Sequence, residues 1–552
     1  MAGLYNTFLN AVIFLKLLLV KQFWWKPFIR QTHDPQATQN KLLQQILSKN
    51  RNTAFGKEYG FENISSYHEY CAAVPIQSYE HLRPYIEKQE REKTSVLNSE
   101  QPIIYAKTSG TTGKPKYIPF LKSSVNHYLK SQALIVFAQY QHLPAIYHGK
   151  VLAIVSPVIE GHLDTGTPYG SMSGGIHSAM PDLVKHKYVV PPEVFEIEDY
   201  NLKYLLIAAF ALAEPGITMC ASANPSTFLK LQEVIQNHAD SLVAFISTGD
   251  TQALGDIPDN VKTLLHKHFH PDPERADELK TLITRPEAPY FGLFWPDLKA
   301  IVTWTGGNCG ILLPRLKKLL SEGTYIVEMG YLSSEFRGSI TVDIENNLCV
   351  PTFHENFYEF IERSDWENGV KNTLTLEQVE LGKEYYLIVT TQNGLYRYFI
   401  NDIIKITGTY HQTPTLAFVQ KGKSVTNLTG EKLYESQVID AVEKAFNSNP
   451  EFYLMLACPE ALQYTLYVET GPVVHTSTDQ LEKQLATVNV EFDAKRKSGR
   501  LQPTIIVPLK PGTKEAYKQH CINNGQREAQ FKQVHLQYAK DCSFDFTPYQ
   551  YK

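Results

Sequence analysis

Thr108-Ser109-Gly110-Thr111-Thr112-Gly113-Lys114-Pro115-Lys116 is the stretch on which the fold turns. It gathers four hydroxyl side chains, two glycines and two lysines. It follows Pro102-Ile103-Ile104-Tyr105-Ala106, an apolar run that reads as a strand entering a polar turn. Glycine lets a backbone approach an anion and adopt positive φ. Hydroxyls and free N–H groups donate to phosphate oxygens, and lysine adds a point charge. The stretch is not a Walker loop, which needs four residues between its glycines. Only two separate Gly110 from Gly113, and Pro115 stands where Ser or Thr is required. The plainer reading is a hairpin loop rich in turn formers. Its composition, directly after a strand, favours a phosphate cradle.

Outward from this loop, short apolar strands alternate with helical segments. Residues 36–47 have helical spacing, with Leu42, Leu43, Ile46 and Leu47 as the stripe. Val151-Leu152-Ala153-Ile154-Val155, Leu242-Val243-Ala244-Phe245-Ile246, Ala300-Ile301-Val302-Thr303-Trp304 and Tyr385-Tyr386-Leu387-Ile388-Val389 read as strands, and residues 204–213 as a helix. The alternation predicts an α/β architecture. A boundary is expected at Lys421-Gly422-Lys423, leaving a large domain over residues 1–421 and a smaller α+β domain over residues 422–552. The smaller one reads strand, helix (residues 435–446), strand, helix, strand.

A chain of 552 residues exceeds one ordinary core. With 43% hydrophobic and 20% charged residues it is globular rather than disordered. A net charge of −4 gives no field for nucleic acid. The seven cysteines (Cys71, Cys220, Cys309, Cys349, Cys458, Cys521, Cys542) are scattered without a CxxC pair. That reads as reduced thiols and a cytoplasmic protein. Residues 8–20 are strongly apolar but interrupted by Asn10 and Lys16. The run is short for a spanning helix of about 20 apolar residues. No basic residue precedes Lys16, so a signal-peptide n-region is missing. A helix docked on the core is expected. The alternative is an interfacial helix making peripheral membrane contact, with Phe23, Trp24, Trp25 and Lys26 at headgroup level.

Three later segments give the loop its context. Trp304-Thr305-Gly306-Gly307 carries a glycine pair, Tyr331-Leu332-Ser333-Ser334-Glu335 fits Y-x-x-S/T-E, and Tyr396-Arg397 leads through a strand to Asp402. In this order, with the loop, they resemble the adenylate-forming superfamily of acyl-CoA synthetases and luciferase. Further segments are similar to one branch, the Gretchen Hagen acyl-acid amido synthetases. These are Asn52-Thr53-Ala54-Phe55-Gly56-Lys57 through Gly60-Phe61, Val74-Pro75-Ile76, Gly430-Glu431-Lys432-Leu433-Tyr434-Glu435 and Gln530-Phe531-Lys532. The resemblance covers nearly the whole chain. It implies a large domain of β-sheets flanked by helices and a smaller, mobile α+β domain. It also implies ATP and Mg²⁺. A small carboxylic acid is adenylated with release of pyrophosphate, then passed to an amine, with amino acids the expected class, releasing AMP.

The resemblance also assigns roles. Thr108, Ser109, Gly110, Thr111 and Thr112 would hold the outer phosphates, with Lys116 adding charge. Gly306 and Gly307 would let backbone lie flat on adenine, and Tyr331 would stack on the base. Ser334 would reach the α-phosphate, and Glu335 would coordinate Mg²⁺, a hard cation that prefers oxygen. Asp402 would accept from the ribose hydroxyls; relatives often place Gly before it, and here Asn401 must tolerate left-handed backbone. Lys421 stands where relatives often have arginine, at the hinge about which the small domain would rotate. Lys532 would neutralise charge gathering at the α-phosphate, and Lys432 is a second candidate. His177, Ser222, Asn224 and Ser226 would line the acyl pocket.

His266, His268 and His270 form a histidine cluster in which His266 and His270 suit a shared helical face. No nearby Cys supports a metal there, and Pro271 ends the segment. Two other functions compete. An acyl-CoA ligase would use a thiol acceptor; the Gly-Lys element of that branch is missing. A non-catalytic nucleotide-binding module would have no need of intact Glu335 and Asp402. The acyl acid, the amine and the oligomeric state are left open.

Overall fold

A computed structural model describes the chain apart from residues 1, 109–114, 156–158, 172–181, 286–289, 308, 423, 447–449, 471–475, 524–532 and 552. Its contacts divide into two units, one formed by Met1–Thr108 and Lys116–Gln420, the other running from Lys421 to Lys552.

The first unit opens with α1 (Ala2–Val20), a π-helix over Lys21–Trp25 and α2 (Lys26–Gln31). Asp34 accepts the Ala37 amide at 3.0 Å and caps α3 (Pro35–Asn50), whose stripe of Leu42, Leu43, Ile46 and Leu47 is buried. There follow β1 (Pro102–Thr108), β2 (Lys116–Leu121), α4 (Lys122–His142), β3 (Lys150–Ala153), β4 (Gly161–His162), β5 (Pro168–Gly170), α5 (Tyr200–Ala213) and β6 (Ile217–Ala221). Next come α6 (Ser226–Asn237), α7 (Ala239–Thr248), α8 (Asp259–His268), β7 (Ala300–Thr303), α9 (Cys309–Lys317) and β8 (Tyr325–Glu328). The unit ends in β9 (Ser339–Asp343), β10 (Leu348–Pro351), β11 (Asn356–Glu362), β12 (Glu384–Thr391), β13 (Tyr398–Tyr410) and β14 (Thr413–Lys421).

Three four-stranded sheets and an antiparallel β9–β10 ribbon carry this unit. β1 and β2 pair antiparallel, with Thr108 opposite Lys116, in a sheet ordered β2-β1-β5-β4. The central sheet, β3-β6-β7-β8, is wholly parallel. Its strands are apolar on both faces because both are covered. Leu152, Ile217, Cys220 and Ile301 enter one core with α5, α6 and α7, while Val151, Met219, Ala300, Val302 and Val327 form another. A sheet ordered β11-β12-β13-β14 completes the unit.

Two expectations are corrected. Residues 242–246 lie in helix α7, not a strand. Leu242, Val243, Phe245 and Ile246 are buried while Ala244 is exposed, a helical pattern that a five-residue apolar window cannot distinguish from a strand. Gly249, at φ 73°, ends that helix in the left-handed conformation glycine tolerates. At the N-terminus, Trp25 does not stand with Phe23 and Trp24. It is buried, its ring 5.3 Å from that of Phe137, while the other two are exposed.

In the second unit each expected opening strand is a hairpin. β15 (Val425–Thr426) and β16 (Leu433–Tyr434) precede α10 (Glu435–Phe446); β17 (Tyr453–Cys458) and β18 (Gln463–Glu469) precede α11 (Thr478–Val488) and α12 (Val490–Lys497). β19 (Ile505–Leu509), α13 (Thr513–Asn523) and β20 (Leu536–Tyr538) follow, giving a sheet ordered β19-β18-β17-β20. Val438 and Val442 of α10 and Leu481 and Leu485 of α11 pack with Tyr453, Met455 and Leu466 in one core.

Candidate active site

The carboxyl ends of parallel strands are where an open α/β sheet exposes loops to a ligand. Three adjacent strands, β6, β7 and β8, end in segments singled out by sequence: Ser222 to Ser226, Trp304 to Gly307, and Tyr331 to Glu335. Backbone bonds continue the ladder past the strand ends. Ser222 N donates to Val302 O at 3.1 Å, Trp304 N to Ala223 O at 2.9 Å and Met329 N to Thr303 O at 3.0 Å. The Trp304 indole donates to Gly330 O at 3.1 Å.

Glu328, at the end of β8, clamps two of these loops. One carboxylate oxygen accepts Thr305 N at 2.6 Å and Thr305 Oγ1 at 2.5 Å; the other accepts Gly330 N at 2.9 Å. Sequence reading gave Glu328 no role. Its only signal was a carboxylate closing an apolar strand.

The glycine pair answers to the protein itself. A Cβ on Gly306 would stand 2.8 Å from Phe418 O, and one on Gly307 would stand 2.7 Å from Val419 O, on a backbone at φ +58°. Both positions lie against β14, so their smallness is needed with or without a nucleotide.

Tyr331 and Asp402, 71 residues apart, are joined. The phenol donates to Asp402 Oδ2 at 2.5 Å. Burial first, then the Asp402 carboxylate, push that phenol far above its ordinary pKa and keep it a donor. The Tyr331 ring lies 5.8 Å from Phe418 at 13°, and a Cβ on Gly338 would collide with it. Asp402 is buried within β13 rather than at its end, and Asn401 before it takes φ 59°, the left-handed backbone expected of it.

Leu332 and Arg337 pair across a tight turn that carries Ser333, Ser334 and Glu335. Ser333 N donates to Phe336 O at 3.1 Å and Glu335 N to Ser333 Oγ at 3.3 Å. Glu335 is buried and Ser334 half-buried. Arg337 donates to Gln132 Oε1 at 2.8 Å and lies 4.5 Å over the Tyr128 ring. One buried carboxylate fits Mg²⁺, which is held by one or two carboxylates plus phosphate oxygens and water. Among the described residues no group of three or more His, Cys, Asp or Glu side chains forms a metal cage.

Ser222, Asn224 and Ser226 are buried beside this cluster. Asn224 Oδ1 accepts Ser226 N at 2.9 Å and starts α6. Lys116 is buried at the start of β2, its ammonium 5.6 Å from the Tyr79 ring. Ser109, Gly110, Thr111, Thr112, His177 and Lys532 lie outside the described residues, as does the side chain of Thr108. His268, in α8, sits 3.4 Å from Glu193 Oε1.

In the second unit Lys421 is buried, and Lys432 is half-buried with φ 43°. The neighbouring Glu431 is a second residue whose role the sequence does not reveal. Its buried carboxylate accepts Leu428 N at 2.6 Å, Thr429 N at 2.8 Å, Thr429 Oγ1 at 3.0 Å and Tyr464 OH at 2.5 Å. Asn489 Nδ2 donates to Glu431 O and Lys432 O at 3.0 and 3.2 Å. The loop bearing Lys432 is thereby fixed.

A covered parallel sheet whose strand ends bear the glycine pair, Tyr331 and a buried Glu, with Asp402 of β13 bonded to Tyr331 and a small α+β unit besides, defines the fold class of the adenylate-forming enzymes. The chain belongs to the GH3 family: residues 25–324 match the GH3 family N-terminal domain, 349–421 the central domain and 436–540 the C-terminal domain. It is similar to two indole-3-acetic acid-amido synthetases of Arabidopsis thaliana. Identity to GH3.15 is 26%, over 91% of this chain and 90% of that one. Identity to GH3.4 is also 26%, over 80% and 75%. Among solved structures, the GH3.15 acyl acid amido synthetase matches with TM-score 0.66 at 21% identity, over 96% of both chains. A 2-hydroxyisobutyryl-CoA ligase, solved with 2-HIB-AMP and CoA, matches with TM-score 0.53 at 12% identity, over 92% of both.

Proposed function

We propose that the protein is an ATP-dependent acyl-acid amido synthetase that joins a small carboxylic acid to an amino acid. The observation that carries this is the convergence of the loops after β6, β7 and β8. It brings the glycine pair, Tyr331, Ser334 and Glu335 to one end of one sheet, with Asp402 bonded to Tyr331.

In the first half-reaction a carboxylate oxygen of the acid attacks the α-phosphorus of ATP. An O–P bond forms and the bond to the bridging oxygen breaks, expelling pyrophosphate. Asp402 orients the ribose and Ser334 the α-phosphate; such positioning lowers the entropic barrier to in-line attack. Glu335 would hold Mg²⁺, and that ion would supply positive charge to offset the phosphates. Lys532, with Lys432 as second candidate, stabilises the charge that develops on the α-phosphate. Thr108, Ser109, Gly110, Thr111, Thr112 and Lys116 hold the outer phosphates, and Lys421 binds ribose or phosphate. In the second half-reaction a neutral amine attacks the acyl carbon, the C–O bond to AMP breaks, and the nitrogen sheds a proton. His177, Ser222, Asn224 and Ser226 shape the acyl pocket. The free cysteines fit a cytoplasmic enzyme, and a peripheral membrane contact belongs to the same reading.

ATP–pyrophosphate exchange across a library of carboxylic acids, then a panel of amino acids and CoA on the best acid, tests this. Exchange with at least one acid and an amide product are expected. A thioester formed in preference to any amide would make the protein a CoA ligase, and exchange with no acid would make it a binding module. Glu335→Gln is expected to lower exchange about 100-fold or more, with thermal stability little changed.

A further inference from the structure

The helical run at the N-terminus divides its apolar side chains between the protein and water. Leu17, Trp25 and Phe28 are buried, and Phe28 approaches Phe353 at 6.0 Å between ring centres. Asn10 adds polar anchors, donating to His148 O at 3.4 Å and accepting from Lys187 Nζ at 2.7 Å. One side of the run is therefore fixed to its own unit. On the other side Leu15 is 61% exposed, Leu19 54% and Phe23 66%, with Phe14, Leu18 and Trp24 also exposed. Leu15, Leu19 and Phe23 recur at every fourth residue and make one ridge along the helix. The solvent side of a docked helix is ordinarily polar. A contiguous apolar patch of this kind marks a surface that something covers.

Charge identifies the occupant. Lys16, Lys21, Lys26 and Arg30 are exposed along the run. No Asp or Glu occurs before Asp34, although the chain as a whole carries a net charge of −4. Two copies meeting through this face would set four cations against four, with no carboxylate in either segment to offset them. An anionic phospholipid surface takes the ridge into its headgroup–acyl boundary, sets Trp24 at the interface and places lysine and arginine against phosphate. Among the described residues no helix is long and apolar enough to cross a membrane, so the contact is peripheral.

We infer that residues 14–30 form an interfacial membrane anchor selective for anionic lipid, lying along the surface with the Leu15–Leu19–Phe23 ridge inserted. The inference does not depend on the proposed chemistry.

Co-sedimentation of the full chain with vesicles tests it, using phosphatidylcholine alone or with about a third phosphatidylserine. Binding at least about 10-fold stronger to the anionic vesicles is expected, falling as salt rises from about 0.1 to 0.5 M. The double variant Lys21→Glu/Lys26→Glu should abolish the preference for anionic lipid. The triple variant Leu15→Gln/Leu19→Gln/Phe23→Ser should abolish binding to both vesicles. All these side chains are exposed, so both variants should keep the wild-type melting temperature and whatever pyrophosphate exchange the wild type has. Three results overturn the inference: no sedimentation with either vesicle, binding unaltered in the triple variant, or a wild-type dimer by light scattering that the triple variant converts to monomer while neither binds lipid. The last would make the ridge a subunit interface.

Discussion

Gly307 shows how a motif residue can answer to two demands. Its left-handed backbone and the 2.7 Å gap to Val419 O forbid a side chain whether or not adenine is bound. Gly307→Ala is therefore expected to cost about 2 kcal/mol and to lower the melting temperature of the nucleotide-free protein. If the glycine served adenine alone, only the KM for ATP would rise. Tyr331→Phe removes a donor from the buried Asp402 carboxylate, a loss of about 1–3 kcal/mol, and is expected to raise the KM for ATP several-fold. Cys309 offers a pH test. Burial, then the Glu328 carboxylate, push its thiol up to about 12. The thiolate is the reactive form, and a raised pKa means it is scarce: at pH 8 about one thiol in 10⁴ is ionised. Iodoacetamide at that pH should spare Cys309 in the native protein and modify it after denaturation, as peptide mapping by mass spectrometry will read. At this scale Tyr331, Glu335 and Asp402 were legible because their chemistry dictates residue type within a recognisable pattern. Glu328 and Glu431 were not. A carboxylate that accepts backbone N–H bonds has no partner pattern in the sequence, and the Thr305–Glu328 contact spans 23 residues.

Among the elements, α7 separates what apolar patterning settles from what it leaves open. The apolar run at residues 242–246 reads as a strand and is a helix. What decides it is the single exposed position, Ala244. Ala244→Lys should change stability by no more than about 0.5 kcal/mol. Ile246→Asp, which buries an unpaired charge, should unfold the protein or cost more than about 3 kcal/mol by urea titration. The strands β3 and β7 were easier because both faces of a parallel sheet are covered, so short β-branched runs bounded by turns persist in the sequence. The N-terminal run was legible as a helix, but its docked side was not. The π-helix at Lys21–Trp25 alters the turn and buries Trp25 while Trp24 stays exposed. At the strand ends, Glu328→Ala frees the Thr305 and Gly330 amides together. It is expected to lower kcat/KM for ATP about 10-fold or more, by loosening two loops rather than by removing a contact to substrate.

For the whole molecule, the order of the motifs along the chain was the most legible feature. The segments after β6, β7 and β8 are scattered over more than a hundred residues, yet parallel strand pairing sets them side by side. That adjacency is a property of topology, and no local window contains it. The identity of the acid is legible at neither scale, because pocket shape comes from side chains contributed by separate segments. In the proposed reaction the acid attacks the α-phosphate and its oxygen leaves with AMP. Turnover of a carboxylic acid bearing ¹⁸O in its carboxylate measures this directly. One labelled oxygen in each AMP and none in pyrophosphate are expected. Label appearing instead in inorganic phosphate, with ADP as the nucleotide product, would mean an acyl phosphate and would contradict it.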